Sequence, residues 1–109
     1  MRLPIGTVSY HEWEIETLRA DQELALEYAK VAVESLNSSE ERPGGLLMLR
    51  SIAEAYGDLA AVAAEAGISR ESLYRALSPK ENPTLKTLVA VLKTLGLRLS
   101  ITPESQLQS

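Results

Sequence analysis

The sequence predicts an all-α fold: five helices, an N-terminal arm and one short C-terminal strand. Three observations predict it. Apolar residues make up 45% of the 109 positions and include no phenylalanine, so the core must be built from leucine, alanine, valine and isoleucine, a balance suited to close-packed helices. These residues recur at three- and four-residue steps, the period of an amphipathic helix. Good N-caps and glycine or proline stops then divide the chain into short segments. The length suits one globule with a single core.

Residues 8–19 carry the sole Trp and the sole His, with Glu12, Glu14 and Glu16 between Trp13, Ile15 and Leu18. The alternation is partial and reads as an extended or irregular arm. Asp21 caps the first helix, on which Leu24, Ala25, Tyr28, Ala32 and Leu36 share a face. Asn37 to Gly45 is a polar linker with breakers at its end. The second helix runs near Leu46 to Tyr56, and Gly57 stops it. Asp58 caps a third helix through Ala66. Ser69 caps a fourth, from Arg70 to about Leu77, and Pro79 blocks its extension. Thr84 caps the fifth, Leu85 to Leu95. Leu97-Arg98-Leu99-Ser100-Ile101 alternates strictly and reads as a strand. The tail after Pro103 reads as frayed.

Composition narrows the class of function. Cysteine is absent, which excludes disulfides and thiolate metal sites and fits a reducing compartment. No apolar run reaches about 18 residues, and the N-terminus lacks the apolar stretch of a secretion signal. Bacterial cytoplasm is the expected address. The net charge of −4 is unevenly spread: residues 1–57 hold ten acids against five basic residues, residues 58–109 five against six. The first half suits a basic partner, and the second can meet phosphate through local clusters. With one His and no metalloprotease, dinucleotide or phosphate-loop motif, there is no catalytic residue to name. No cofactor and no metal ligand are expected; His11 beside Glu12 reads as a surface or packing residue.

The stretch AAVAAEAGISRESLYRAL, residues 60–77, carries the most information. Two helices joined at a steep angle by about three residues need a small residue where they pass closest. Ala63 fits that place. Four residues later the backbone must take a positive φ, which Gly67 does without a Cβ penalty. Six residues further, Leu73 plugs the wedge. This is the spacing of a helix-turn-helix, whose second helix enters the DNA major groove. Leu73, Ala76 and Leu77 take its inner side. Arg70, Glu71, Tyr74 and Arg75 then lie outward, where arginine pairs with guanine and glutamate with cytosine. Ser69 and Ser72 are placed for phosphate. Lys80, Asn82, Thr84 and Lys86 follow, and the free N–H groups near Thr84 with Lys86 make a phosphate clamp.

GISRESLYRALSPKENPTLKTLVAVLKTLGLRLSI resembles the signature of the addiction-module antidote proteins, the HigA-like antitoxins of the Cro/repressor class of helix-turn-helix domains. SRESLYRALSPxxNP is more specific than a generic helix-turn-helix. The similarity is densest over residues 57–101 and extends more loosely to about residue 19, through an acidic helix, ADQELALEYAKVAVESL. The longer polar connector at residues 37–45 departs from the typical member. The resemblance implies an antitoxin that neutralises a small basic RelE/ParE-like toxin encoded beside it, and represses their shared promoter as a dimer on double-stranded operator DNA. It implies DNA contact at Ser69, Arg70, Ser72, Tyr74 and Arg75, with Lys80, Asn82 and Thr84 behind them.

On this reading residues 1–42 are the toxin-binding part and residues 43–109 the DNA-binding domain with its dimerisation strand. Glu23 and Glu27 either form an ordinary solvated face or draw in a basic partner. Tyr10, Trp13 and Ile15 either fill a partner's pocket or pack back on the domain. The strand needs another strand, from the arm or from a twin copy across a two-fold axis. The alternatives are a phage-type repressor without a toxin and a helical interaction module that never meets DNA.

Overall fold

The computed structural model describes residues 9–104, and six α-helices lie among them: α1 (Tyr10–Ala20), α2 (Gln22–Ser35), α3 (Arg42–Tyr56), α4 (Leu59–Ala66), α5 (Arg70–Ala76) and α6 (Leu85–Lys93). The fold is all-α, with one helix more than the sequence suggests. The segment read as an arm is α1. Ser9 and Glu12 close a capping box, the Ser9 hydroxyl accepting from the Glu12 N–H while the Glu12 carboxylate accepts from the Ser9 N–H. That box satisfies two of the orphan donors of the first turn. Ile15 and Leu18, three apart, form the buried stripe. The glutamates between them mimic the alternation of a strand.

Asp21 ends α1 and also caps α2, so the two helices follow with a single residue between them. The polar connector is shorter than expected, because α3 begins at Arg42. Pro43 stands in its first turn, where a missing N–H costs nothing. Helix α3 is the axis of the molecule. Helices α1 and α2 pack along it through Leu18, Ala25, Ala29 and Ala32, and α4 and α6 make smaller contacts with it. Gly45 lets α2 come close: a Cβ there would lie 2.7 Å from the Ala32 carbonyl oxygen. Leu46, Leu49, Ile52, Leu73, Leu77 and Val91 are fully buried in one continuous core. Truncating at residue 40 would therefore strip the cover from α3.

No strand forms among the described residues. The segment from Leu97 to Ile101 follows Gly96 without regular structure. Leu97 and Leu99 pack half-buried against the core, and Ile101 is 94% exposed. A strand needs a partner edge, and the arm that would supply one is a helix. The tail beyond Glu104 lies outside the described residues. Among those residues, no helix is long and apolar enough to cross a membrane.

Candidate nucleic-acid interface

Helices α4 and α5 are joined by Gly67, Ile68 and Ser69. Asp58 caps α4, its carboxylate accepting from the Ala61 N–H at 2.9 Å. Gly67 ends the helix at φ 75°, ψ 27°, the left-handed conformation that glycine adopts without strain. Ala63 and Leu73 are buried against each other's helices. Ser69 caps α5: its hydroxyl accepts from the Ser72 N–H and donates to the Ser72 Oγ, both at 3.0 Å. The Ser69 hydroxyl is thus spent on the cap, while the Ser72 hydroxyl keeps its own proton to donate.

With Leu73 and Leu77 turned inward, Arg70, Glu71, Tyr74 and Arg75 all stand exposed on one side of α5. Lys80 and Asn82 are exposed in the following loop. Thr84 caps α6, accepting from the Thr87 N–H at 3.2 Å. Lys86 reaches back across the turn, its Nζ 3.2 Å from where a Cβ on Gly67 would be. It sets a positive charge by the C-terminus of α4, where the helix dipole is negative. Among the described residues, no carboxylate lies within 4.0 Å of Arg70, Arg75, Lys80 or Lys86. Lys93, by contrast, is held by Glu65 at 2.8 Å. That hydrogen bond, with the lysine charge, lowers the Glu65 pKa. The four unpaired cations form a surface that suits phosphate and base edges.

One residue of this site escaped sequence reasoning. Arg50, on α3, lays its guanidinium 4.1 Å from the centre of the Tyr74 ring. Its Nη2 donates to the Leu77 carbonyl at 3.5 Å, and its Nε is buried without a partner. The only signal was an arginine set in the largely apolar run from Leu46 to Ala53 of α3.

The residues expected to meet a protein partner are divided. Tyr10 is 64% exposed and Trp13 half-buried, their rings 5.8 Å apart. Glu23 and Glu27 are exposed on α2. Ile15 is 8% exposed and belongs to the core, so it cannot enter a partner's pocket. Glu14 is no solvated acid. Its carboxylate accepts from the Tyr28 hydroxyl at 2.5 Å and the Ser51 hydroxyl at 2.8 Å, tying α1 to α2 and α3. Burial, followed by this bond and the Glu14 charge, holds the Tyr28 phenol well above its ordinary pKa. His11 Nε2 lies 2.6 Å from the Glu54 carboxylate. Beside these groups a cleft of about 860 Å³ opens between α1, the end of α3 and the starts of α4 and α5. No cluster of three potential metal ligands occurs among the described residues.

Comparison with known proteins gives two findings. A family model described as "probable addiction module antidote protein" matches residues 10–103. An uncharacterized protein of Haemophilus influenzae (strain ATCC 51907 / DSM 11121 / KW20 / Rd) is 45% identical over 56 residues, 46% of this chain and 58% of that protein. The chain thus spans little more than half the length of that relative. No solved structure matches.

Proposed function

The chain belongs to the family of probable addiction module antidote proteins, and from that premise we propose an antitoxin that captures a small basic toxin of RelE/ParE type and represses its own operon. The family is not one of enzymes. Capture falls to the acidic N-terminal helices and repression to α4 and α5, read as a HigA-like, Cro/repressor-class helix-turn-helix. A dimer would present two copies of α5 to half-sites one turn of DNA apart.

One observation carries the DNA half of this reading: Leu73 on α5 and Leu77 at its C-cap are fully buried, while Arg70, Tyr74 and Arg75 of the same helix face solvent. The arginines are unpaired among the described residues, so no internal ion pair must break before they meet a duplex. Their number also offsets locally the acidic balance of the whole chain.

The test is a gel shift on DNA taken from directly upstream of the chain's own gene. Specific retention is expected for the wild type, weakened in Arg70→Ala and Arg75→Ala. Retention unchanged in both variants would remove α5 from the interface. Co-purification with the product of the adjacent reading frame separates the antitoxin from a repressor without a toxin.

A further inference from the structure

The cleft beside α1 meets the surface assigned to DNA at one residue, Arg70. Resting on the antitoxin reading above, we propose that this cleft seats a lysine or arginine of the toxin, and that seating it releases operator DNA. The occupant follows from the chemistry of the walls. Trp13, Ile15 and Leu59 supply an apolar floor, and Glu12, Glu16 and Asp58 stand exposed around it. An aliphatic stem ending in a cation matches both, and the indole face adds a cation–π contact.

Glu12 and Asp58 each spend one carboxylate oxygen on a backbone N–H at a helix start, and among the described residues neither they nor Glu16 has a basic group within 4.0 Å. Arg19 is committed to the end of α3, its Nε donating to the Ala55 carbonyl at 3.1 Å and its Nη2 to that of Glu54 at 3.4 Å. His11 is engaged by Glu54. Glu16 has neither a hydrogen bond nor an ion pair through its carboxylate among the described residues. The negative charge at the rim is therefore available to a partner.

Arg70 connects the two ligands. It is the first residue of α5, the end from which base edges are reached, and it also lines the cleft. A cation seated there brings like charge to the Arg70 guanidinium and places the toxin's bulk at the approach to the helix. The exposed acids in turn repel a phosphate backbone unless α5 alone faces it. Each ligand weakens the other, and the coupling must be the same in both directions.

The probe is the protein of the adjacent reading frame, purified and titrated into the full-length chain, with and without the upstream DNA. Trp13 is the only tryptophan of the chain, so the difference in emission against Trp13→Phe reports occupancy of the cleft. Glu16→Lys should weaken capture by about tenfold or more, and by more than Glu27→Lys on α2 does, whereas Glu104→Lys, exposed and outside the N-terminal helices, should change it less than about twofold. Trp13→Leu, which keeps apolar volume, should weaken capture in the same direction as Glu16→Lys. Saturating partner should lower the wild type's operator affinity by about tenfold. Full capture by both cleft variants, with loss in Glu27→Lys, would move the interface to α2 and overturn the proposal while leaving the antitoxin reading intact. Capture through the cleft with operator affinity unchanged or raised would overturn the release. No capture by the wild type would overturn the antitoxin reading and this proposal together.

Discussion

The Arg50 guanidinium rests 4.1 Å from the centre of the Tyr74 ring, so α3 grips α5 through the one aromatic residue of its exposed side. A buried Nε without a partner is costly, and a stack on a ring as exposed as Tyr74 returns about 1 kcal/mol. The pair contributes little net stability. It ties Tyr74, and with it the helix that carries Arg70 and Arg75, to α3.

Arg50→Met should accordingly shift the urea midpoint by no more than about 1 kcal/mol in either direction. It should weaken operator binding nonetheless, although the residue belongs to α3 and not to the proposed recognition helix. A double-mutant cycle with Tyr74→Leu, read out as operator affinity, should show a coupling of about 0.5–2 kcal/mol. A loss of stability with operator binding untouched would make the stack merely structural.

Arg75 and Lys86 should behave differently under mutation. Arg75→Ala removes a planar donor pair suited to a base edge and should cost about 1–3 kcal/mol, relaxing preference at one position of the operator. Lys86→Ala removes a point charge beside the α4–α5 turn. It should weaken binding to all sequences alike and lower the slope of log affinity against log salt by about 1. Titrations at three salt concentrations on specific and scrambled DNA separate the two outcomes.

Much of the second half was legible because its signals are local. Asp58, Ser69 and Thr84 each cap the helix that follows them, and Gly67 takes the positive φ its position implied. The first half was read less well because its determinants are tertiary. Glu14 looks like one more surface acid until Tyr28 and Ser51, from two other helices, close on it. The capping box at Ser9 and Glu12 was visible, but the alternation of acids and apolar residues masked it. The C-terminal alternation misled in the opposite sense, since period two describes a strand only when an edge is there to receive it. Arg50 could not be placed at all, because its partner Tyr74 lies 24 positions away on another helix.

Gly67→Ala tests whether the turn depends on glycine for backbone or for space. The Lys86 Nζ would lie only 3.2 Å from the new methyl, but a lysine tip swings aside cheaply. The φ of 75° does not relax so easily, and the left-handed conformation costs an alanine about 1–2 kcal/mol. Gly67→Asn should recover part of that loss. Equal destabilisation by both variants, measured by urea unfolding, would point to crowding.

Gly44 and Gly45 stand side by side in α3 and should respond with opposite signs. A methyl on Gly44 meets nothing within 4 Å, so Gly44→Ala should stabilise by about 0.4–1 kcal/mol through the unfolded chain. A methyl on Gly45 would sit 2.7 Å from the Ala32 carbonyl oxygen and 2.9 Å from the Ser35 Cβ. Neither can yield without moving α2, so Gly45→Ala should cost about 1–3 kcal/mol. Thermal unfolding of the two single variants decides the matter, and a shift of the same sign in both would contradict the close crossing.

Tyr28 makes the fold sensitive to alkali. Its phenol keeps its proton above the ordinary value of 10.0, first through burial and then through the Glu14 carboxylate that the proton bonds. The unfolded chain loses that proton near pH 10, whereas the folded chain retains it. Above pH 10 the native state therefore binds more protons than the unfolded state, and stability must fall as pH rises, by up to about 1.4 kcal/mol per pH unit. Below pH 10 the contribution is fully present. Tyr28→Phe should lose about 1 kcal/mol at neutral pH, because one Glu14 oxygen is left without its donor. The same variant should flatten the decline above pH 10. Urea midpoints at pH 8, 10 and 11 for both proteins provide the check. Parallel declines would mean that another group carries the alkaline sensitivity.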